Sequence, residues 1–220
     1  MPPSVAEPLA TRETHQGDPD GPAVMTSRRP WLGWLLLSCG IIGLLAAFVL
    51  TVEKFALVAD PLYVPSCSIN PILSCGSVMA SPQSGVFGFP NPLLGIVGFT
   101  VVVVTGVAVL AKAPLPRWYW YGLQAGVTFG TAFIHWLAFQ SLYRIGALCP
   151  YCMIVWAVTL PLFFYVTIDN LERYLGPSRA GLSRAVAVVA RFHTVVLTGW
   201  FLFFIAAIAI RFWSSWLLLM

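Results

Sequence analysis

Five cysteines stand in this sequence, and four of them fall into two pairs. Cys149-Pro150-Tyr151-Cys152 is a C-x-x-C unit that runs into a long apolar stretch, Met153 to Ile168. Two cysteines at that spacing close a small disulfide or open to a dithiol. At the start of a helix, free N–H groups and the helix dipole favour negative charge, so the unit favours the thiolate, the nucleophile of thiol–disulfide exchange. Cys67 and Cys75 form the second pair. Two such pairs at one membrane face suit a relay, in which electrons pass by thiolate attack through a mixed disulfide. Zinc is a poorer reading: structural sites use two short C-x(2–4)-C knuckles, and Cys67-x7-Cys75 is not one. No metal is expected. The non-enzymatic alternative is a membrane transporter or scaffold whose disulfides staple a loop, with no electron flow. Cys39, alone inside an apolar segment, reads as a small apolar filler.

The elements that must position these thiols are membrane helices. The 220 residues are 59% hydrophobic and 9% charged, with mean hydropathy +0.84; soluble domains carry roughly 25% charged residues. Trp31–Val52, Leu93–Ala111, Trp118–Tyr143, Ile145–Ile168 and Phe192–Ile210 lack Asp, Glu, Lys and Arg, and each is long enough to span, at about 20 residues. The expected fold class is an all-α membrane protein with five transmembrane helices. The cations are spread over loop ends, which reads as topology and not as nucleic-acid binding; the lipid bilayer is the expected surrounding. With the N-terminus in the cytoplasm, nine Lys and Arg fall inside and only Lys54, Arg144 and Arg211 outside. That predicts N-terminus in, C-terminus out, and both cysteine pairs on the oxidising side, where disulfides persist.

In chain order, residues 1–30 are polar and rich in Pro, Gly and Asp, and read as a disordered cytoplasmic tail. Residues 53–92 form the outer loop that carries Cys67 and Cys75. Asn70-Pro71 predicts the start of a short helix bearing Cys75, with Cys67 on the extended arm before it. Gly122, Gly126 and Gly130 recur every four residues, the pattern of a face for close helix contact. His135, on the same helix, is equally a functional candidate and a satisfied core residue. Residues 31–170 hold the bundle and its loop, 171–191 a charged cytoplasmic linker, and 192–220 a fifth transmembrane helix with an outer tail. Cys149, at the helix start, is expected to be the more exposed of its pair, and Cys152, almost one turn deeper, to face the apolar bundle.

The two cysteine pairs, with Phe89-Pro90-Asn91-Pro92-Leu93-Leu94-Gly95 between them, resemble the vitamin K epoxide reductase family. The likeness covers roughly residues 31–170 and is closest to bacterial members, actinobacterial ones in particular, since Arg outnumbers Lys ten to two. The resemblance implies a four-helix bundle around a quinone, here menaquinone, which the C-x-x-C pair reduces. It implies that the loop pair brings electrons from a thioredoxin-like (DsbA-like) partner, supporting disulfide formation in exported proteins at a bacterial inner membrane. By position, Cys152 faces the quinone, Cys149 exchanges with Cys75, and Cys67 lies nearest the partner's thiol. Asn91 matches the polar residue that hydrogen-bonds the quinone oxygen, flanked here by Pro90 and Pro92. Phe89 and Trp156 complete the expected quinone site; Trp156 stands where animal members carry Tyr. Some homologues carry a fused thioredoxin-like domain after the last helix; this chain stops at Met220, so a separate partner is expected.

Overall fold

Uninterrupted apolar runs build most of the secondary structure, because backbone groups in an apolar medium must satisfy each other within a helix. The computed structural model describes residues 24–25, 29–60, 62–174 and 180–217. In chain order the helices are α1 (Pro30–Ala59), α2 (Cys75–Ala80), α3 (Pro92–Leu110), α4 (Arg117–Gln140), α5 (Pro150–Tyr174), α6 (Ala180–Arg191) and α7 (His193–Leu217). Among the described residues, α1, α3, α5 and α7 are long and apolar enough to cross a membrane. The chain is therefore an all-α, multi-pass membrane protein. The fifth expected span, α4, has 24 residues, about 36 Å at ~1.5 Å per residue. Its Trp, Tyr, Gln and His content leaves it less apolar than those four.

Glycines set the closest helix contact. A Cβ on Gly43 of α1 would stand 2.3 Å from the Phe99 ring of α3, and one on Gly106 of α3 would stand 2.7 Å from the Leu37 backbone nitrogen of α1. Removing side chains at these points lets the two backbones meet. By contrast α4 and α5 join through polar groups: Gln124 Nε2 donates to Thr167 Oγ1 (2.9 Å), and Asn170 Nδ2 donates to Gln124 Oε1 (3.0 Å). At the end of α1 away from the cysteines, Arg29 pairs with Glu172 of α5.

His135 resolves as a core residue that fastens α7. Trp200 Nε1–H can only donate, so His135 Nε2 accepts it (3.0 Å), which leaves the proton on Nδ1 to donate to Thr131 O (2.7 Å). A second fastening comes from Arg211 Nε, which donates to Leu142 O at 2.9 Å.

Several expectations change. Val24–Met25, inside the stretch read as a disordered tail, pairs antiparallel with Leu115–Pro116; residues 1–23 and 26–28 lie outside the described residues. Pro30 already belongs to α1, where its missing N–H costs nothing at the first turn. The expected linker 171–191 is largely helical: α5 runs on to Tyr174, and α6 fills Ala180–Arg191, an amphipathic segment whose Val186 packs against Phe164 and Ile168 of α5. Residues 175–179 lie outside the description. The tail after Ile210 continues as α7 to Leu217, with 218–220 outside it.

The glycine contact yields a stability test. Gly106→Val should lower the thermal midpoint of the detergent-solubilised protein, with a cost of about 1–3 kcal/mol for overpacking. Gly122→Ala should leave it unchanged, since nothing lies within 4 Å of a Cβ there. Equal losses in the two variants would refute this assignment of the close contact to α1 and α3.

Candidate active site

The two cysteine pairs meet because the loop is zipped to the strand-like segment before α5. Leu73 and Leu148 form an isolated parallel bridge: Leu148 N–H donates to Ile72 O (2.7 Å), and Ser74 N–H donates to Leu148 O (2.9 Å). In that register Ser74 stands beside Cys149, and Cys75 follows one residue further along. The turn behind the bridge is closed by Asn70, whose Oδ1 accepts from the backbone of Ile72 and Leu73 (2.9 and 2.7 Å). Asn70-Pro71 thus starts a turn and not the expected helix. The helix begins at Cys75, where the Ser74 hydroxyl accepts from Ser77 N, because Ile72 and Ser74 are committed to the bridge.

Cys67 and Cys75 are joined as a disulfide, and Cys149 and Cys152 are free. The Cys75 and Cys149 sulfurs are 3.1 Å apart. Cys75 has no thiol hydrogen while bonded to Cys67, so it can only receive: the contact places a potential nucleophile on a disulfide sulfur. Three sulfurs, of Cys67, Cys75 and Cys149, lie within 4.8 Å of one another. Metal ligation needs thiolates, and two of these three are spent on each other, so the cluster is built for exchange.

Burial runs opposite to the expectation for Cys149. It is 1% exposed, packed under the loop with Leu50, Cys67, Cys75 and Met79. Cys152 is half-buried and borders a cavity. The loop forms a cap over the helix start, which the sequence of the helix alone does not reveal. Cys67, at 5% exposed, is covered too. The Cys149 thiol is held below its ordinary value, chiefly by the hydrogen bond from the Cys152 side chain. Burial opposes that shift, and the backbone N–H groups of Cys152 and Tyr151 add to it.

The cavity has a volume of about 590 Å³ and runs along α4, from Trp118 and Tyr119 to Gln140 and Ser141. Of its polar groups, Lys54, Gln83, Ser84 and Asn91 come from the loop and the ends of α1 and α3, at the end where Cys149 and Cys152 join the wall, while Tyr119 and Thr159 line it elsewhere. Asn91 is 9% exposed; its Nδ2 donates to Gln83 O (2.7 Å), which fixes the amide's orientation, and its Oδ1 has no partner. Trp156 is buried on the wall against Phe204. Phe89 does not line this cavity: it is 40% exposed and stacks on Phe87, which in turn meets Phe133 of the wall. Gly122, Gly126 and Gly130 do line it, with open space where each Cβ would stand. The stripe expected to press on a neighbouring helix instead hollows the wall.

Sequence reasoning missed Glu53 and Lys54, the last charged residues of α1. Glu53, 7% exposed, accepts from Ser66 and Tyr63; Lys54 donates to Met79 O and Ser84 Oγ. The available signal was an acid and a base side by side at the end of a long uncharged helix.

The lowered Cys149 value makes a signed prediction. The Cys149 thiolate should persist as pH falls below the ordinary thiol range and disappear only as pH falls through its own lower value. Cys152→Ala removes the main donor, so the titration should move to higher pH. Ultraviolet thiolate absorbance, followed in a Cys39→Ala background, reads both; an unmoved curve in the Cys152→Ala protein would exclude the Cys152 hydrogen bond as the cause.

No curated protein matches the chain. A family model described as the vitamin K epoxide reductase family matches residues 34–167. Enzymes of that family are membrane redox enzymes of the thiol–disulfide type and in general use quinones. The matched span exceeds half the chain and takes in both cysteine pairs, the bridge that joins them and the helices that wall the cavity, and on that ground this chain belongs to the vitamin K epoxide reductase family.

Proposed function

We propose that this protein oxidises a thioredoxin-like, DsbA-like protein outside the cytoplasm and hands the electron pair to a membrane quinone, menaquinone, so supporting disulfide formation in exported proteins. The observation that carries the reading is the Cys75–Cys149 contact of 3.1 Å across an intact Cys67–Cys75 disulfide. The topology that goes with it has five spans, α4 included, with the N-terminus in, the C-terminus out and the cysteines on the extracytoplasmic face of a bacterial inner membrane. The distribution of Lys and Arg supports that orientation.

The exchange balances as follows. A partner thiolate attacks Cys67, Cys75 leaves as thiolate, and the partner's second thiolate closes the partner disulfide and releases Cys67. With Cys149–Cys152 oxidised, the Cys75 thiolate attacks Cys149 and Cys152 leaves. Cys67 then attacks Cys75, which restores Cys67–Cys75 and releases Cys149 as thiolate. The state after this sequence has the loop pair oxidised and the helix pair reduced, which is the arrangement of these four cysteines. A low Cys149 value suits a leaving thiolate.

The cavity fits a quinone. Its volume lies in the range of small-molecule sites, roughly 300–1,000 Å³. Lys54, Gln83, Ser84 and Asn91 line its cysteine end, and Asn91 Oδ1 is an acceptor with nothing to accept, suited to a quinol hydroxyl, while Nδ2 keeps a second hydrogen for a carbonyl. Trp156 contributes an apolar face; Phe89 acts from outside the wall by backing Phe87. The glycine stripe leaves a trough away from the cysteines for an isoprenoid tail. When bound, a quinone supplies a two-electron, two-proton acceptor that leaves as quinol while Cys149 and Cys152 close their disulfide.

Purified protein with a reduced thioredoxin-like protein should reduce added menaquinone; fixed disulfides and no quinol would return the chain to a structural-disulfide role. Peptide mapping tests the order within the relay. Cys67→Ala should accumulate a Cys75–Cys149 disulfide, and Cys152→Ala should abolish quinone reduction yet still permit that crosslink. A Cys67–Cys149 crosslink as the main species would overturn the order.

The trough makes a separate prediction. Gly126→Phe should raise KM for a long-tailed menaquinone by about tenfold, an overpacking effect, with KM for a tail-less analogue little changed. An equal rise for both would place the tail elsewhere.

A further inference from the structure

The last two turns of α1 carry two neighbouring charges that serve opposite arms of the cysteine loop. Glu53 turns to the arm that enters Cys67. Its carboxylate accepts from Ser66 Oγ (2.6 Å), from Ser66 N–H (3.3 Å to Oε2, 3.4 Å to Oε1) and from Tyr63 OH (2.9 Å). Lys54 turns to the arm that leaves Cys75. Its ammonium donates to Met79 O (2.5 Å) and to Ser84 Oγ (3.1 Å), and Ser84 Oγ also donates to Met79 O (2.7 Å). One rigid helix end therefore grips the loop on both sides of the disulfide. The residues gripped are immediate neighbours of the chemistry: Ser66 precedes Cys67, and Met79 packs in the same cluster as Cys75 and Cys149.

The carboxylate makes the grip strong. Glu53 is buried, and among the described residues the hydrogen bonds to its side chain come from the loop. A buried charge without partners is costly, so lifting the arm strips the carboxylate and is opposed. Closing the loop and satisfying Glu53 are one event. The bridge of Leu73 with Leu148 sets the register of the loop between the two cysteines, and Glu53 adds a second hold, on the arm before Cys67.

We propose that Glu53, with Lys54 on the opposite arm, is the positioning residue that holds the Cys67–Cys75 disulfide down on Cys149. The assignment of a purpose to that position rests on the relay reading above. The grip also keeps Cys67 covered, so an incoming thiolate reaches its sulfur only as the Ser66–Glu53 contact opens.

Alkylation tests this without quinone or partner. In protein with Cys67–Cys75 intact, the clamp shields Cys149, while Cys39, half-buried within α1, reports general loosening. Glu53→Gln replaces an acceptor oxygen by an NH2 group that meets the Ser66 donors. It should raise the alkylation rate of Cys149 by about tenfold relative to that of Cys39, the effect expected for losing hydrogen bonds to a charged group. Tyr63→Phe and Ser66→Ala remove donors from the loop side, leave α1 untouched, and should each raise the same ratio; they carry the test if Glu53→Gln fails to fold. An unchanged ratio in the loop-side variants, or Cys39 and Cys149 rising in parallel, would overturn the proposal. Should the ratio rise while the unmodified protein reduces no quinone, the clamp stands and the proposed function falls.

Discussion

Two backbone hydrogen bonds, Leu148 N–H to Ile72 O and Ser74 N–H to Leu148 O, constrain the chemistry more than any side chain. They join a loop to the foot of α5, and a parallel bridge admits no slip of one residue without turning each side chain to the other face. A slip would carry Cys75 away from Cys149. The bridge joins the half-buried Leu73 to Leu148, which is almost fully covered, so water competes little for its groups. Main-chain geometry thereby sets the register that brings the two sulfurs to 3.1 Å.

Two sets of glycines do opposite things in this bundle. Gly43 and Gly106 are filled by the neighbouring helix, and the space their side chains vacate is occupied by Phe99 and by the Leu37 backbone. Gly122, Gly126 and Gly130 vacate space that nothing fills. The first set welds α1 to α3; the second keeps α4 away from them and preserves the cavity. A lipid-soluble substrate needs both: rigid walls on one side and unfilled volume on the other.

This contrast marks how far the sequence could be read. Four of the five expected spans were legible, since hydropathy over about 20 residues is a property of the segment itself, and so were the cysteine pairs, whose chemistry is carried by residue type and spacing. The direction in which a glycine stripe faces is not a local property, and the stripe on α4 was read as a contact face. Cys149 was expected to be the exposed member of its pair because a helix start is usually open; the cap that covers it comes from a loop 74 positions away. Asn70-Pro71 has the local signature of a helix start, yet the long-range bridge claimed the backbone groups that a helix there would have used. His135 could not be settled until its partner on α7, Trp200, was known. Glu53 and Lys54 carry no local sign of their place in the site, because their meaning lies in what the loop brings to them.

Covering both Cys67 and Cys149 has a physical consequence for any relay between water and lipid. A thiolate open to water at the end of α5 would meet soluble oxidants and thiols as readily as its intended donor, and the electron pair would leak. A disulfide packed over it would limit access from the aqueous side to a molecule able to move the loop, while Cys152 borders the cavity. The same cover lowers local polarity, which by itself would discourage a thiolate at Cys149. The Cys152 side chain and the backbone N–H groups at the start of α5 offset that effect, so the site can be both shielded and ionised. A single cysteine pair could satisfy one side of the membrane surface; in the proposed relay, two pairs in contact, one gripped by Glu53 and Lys54 and the other rooted in α5, would let each side be closed while the other is served.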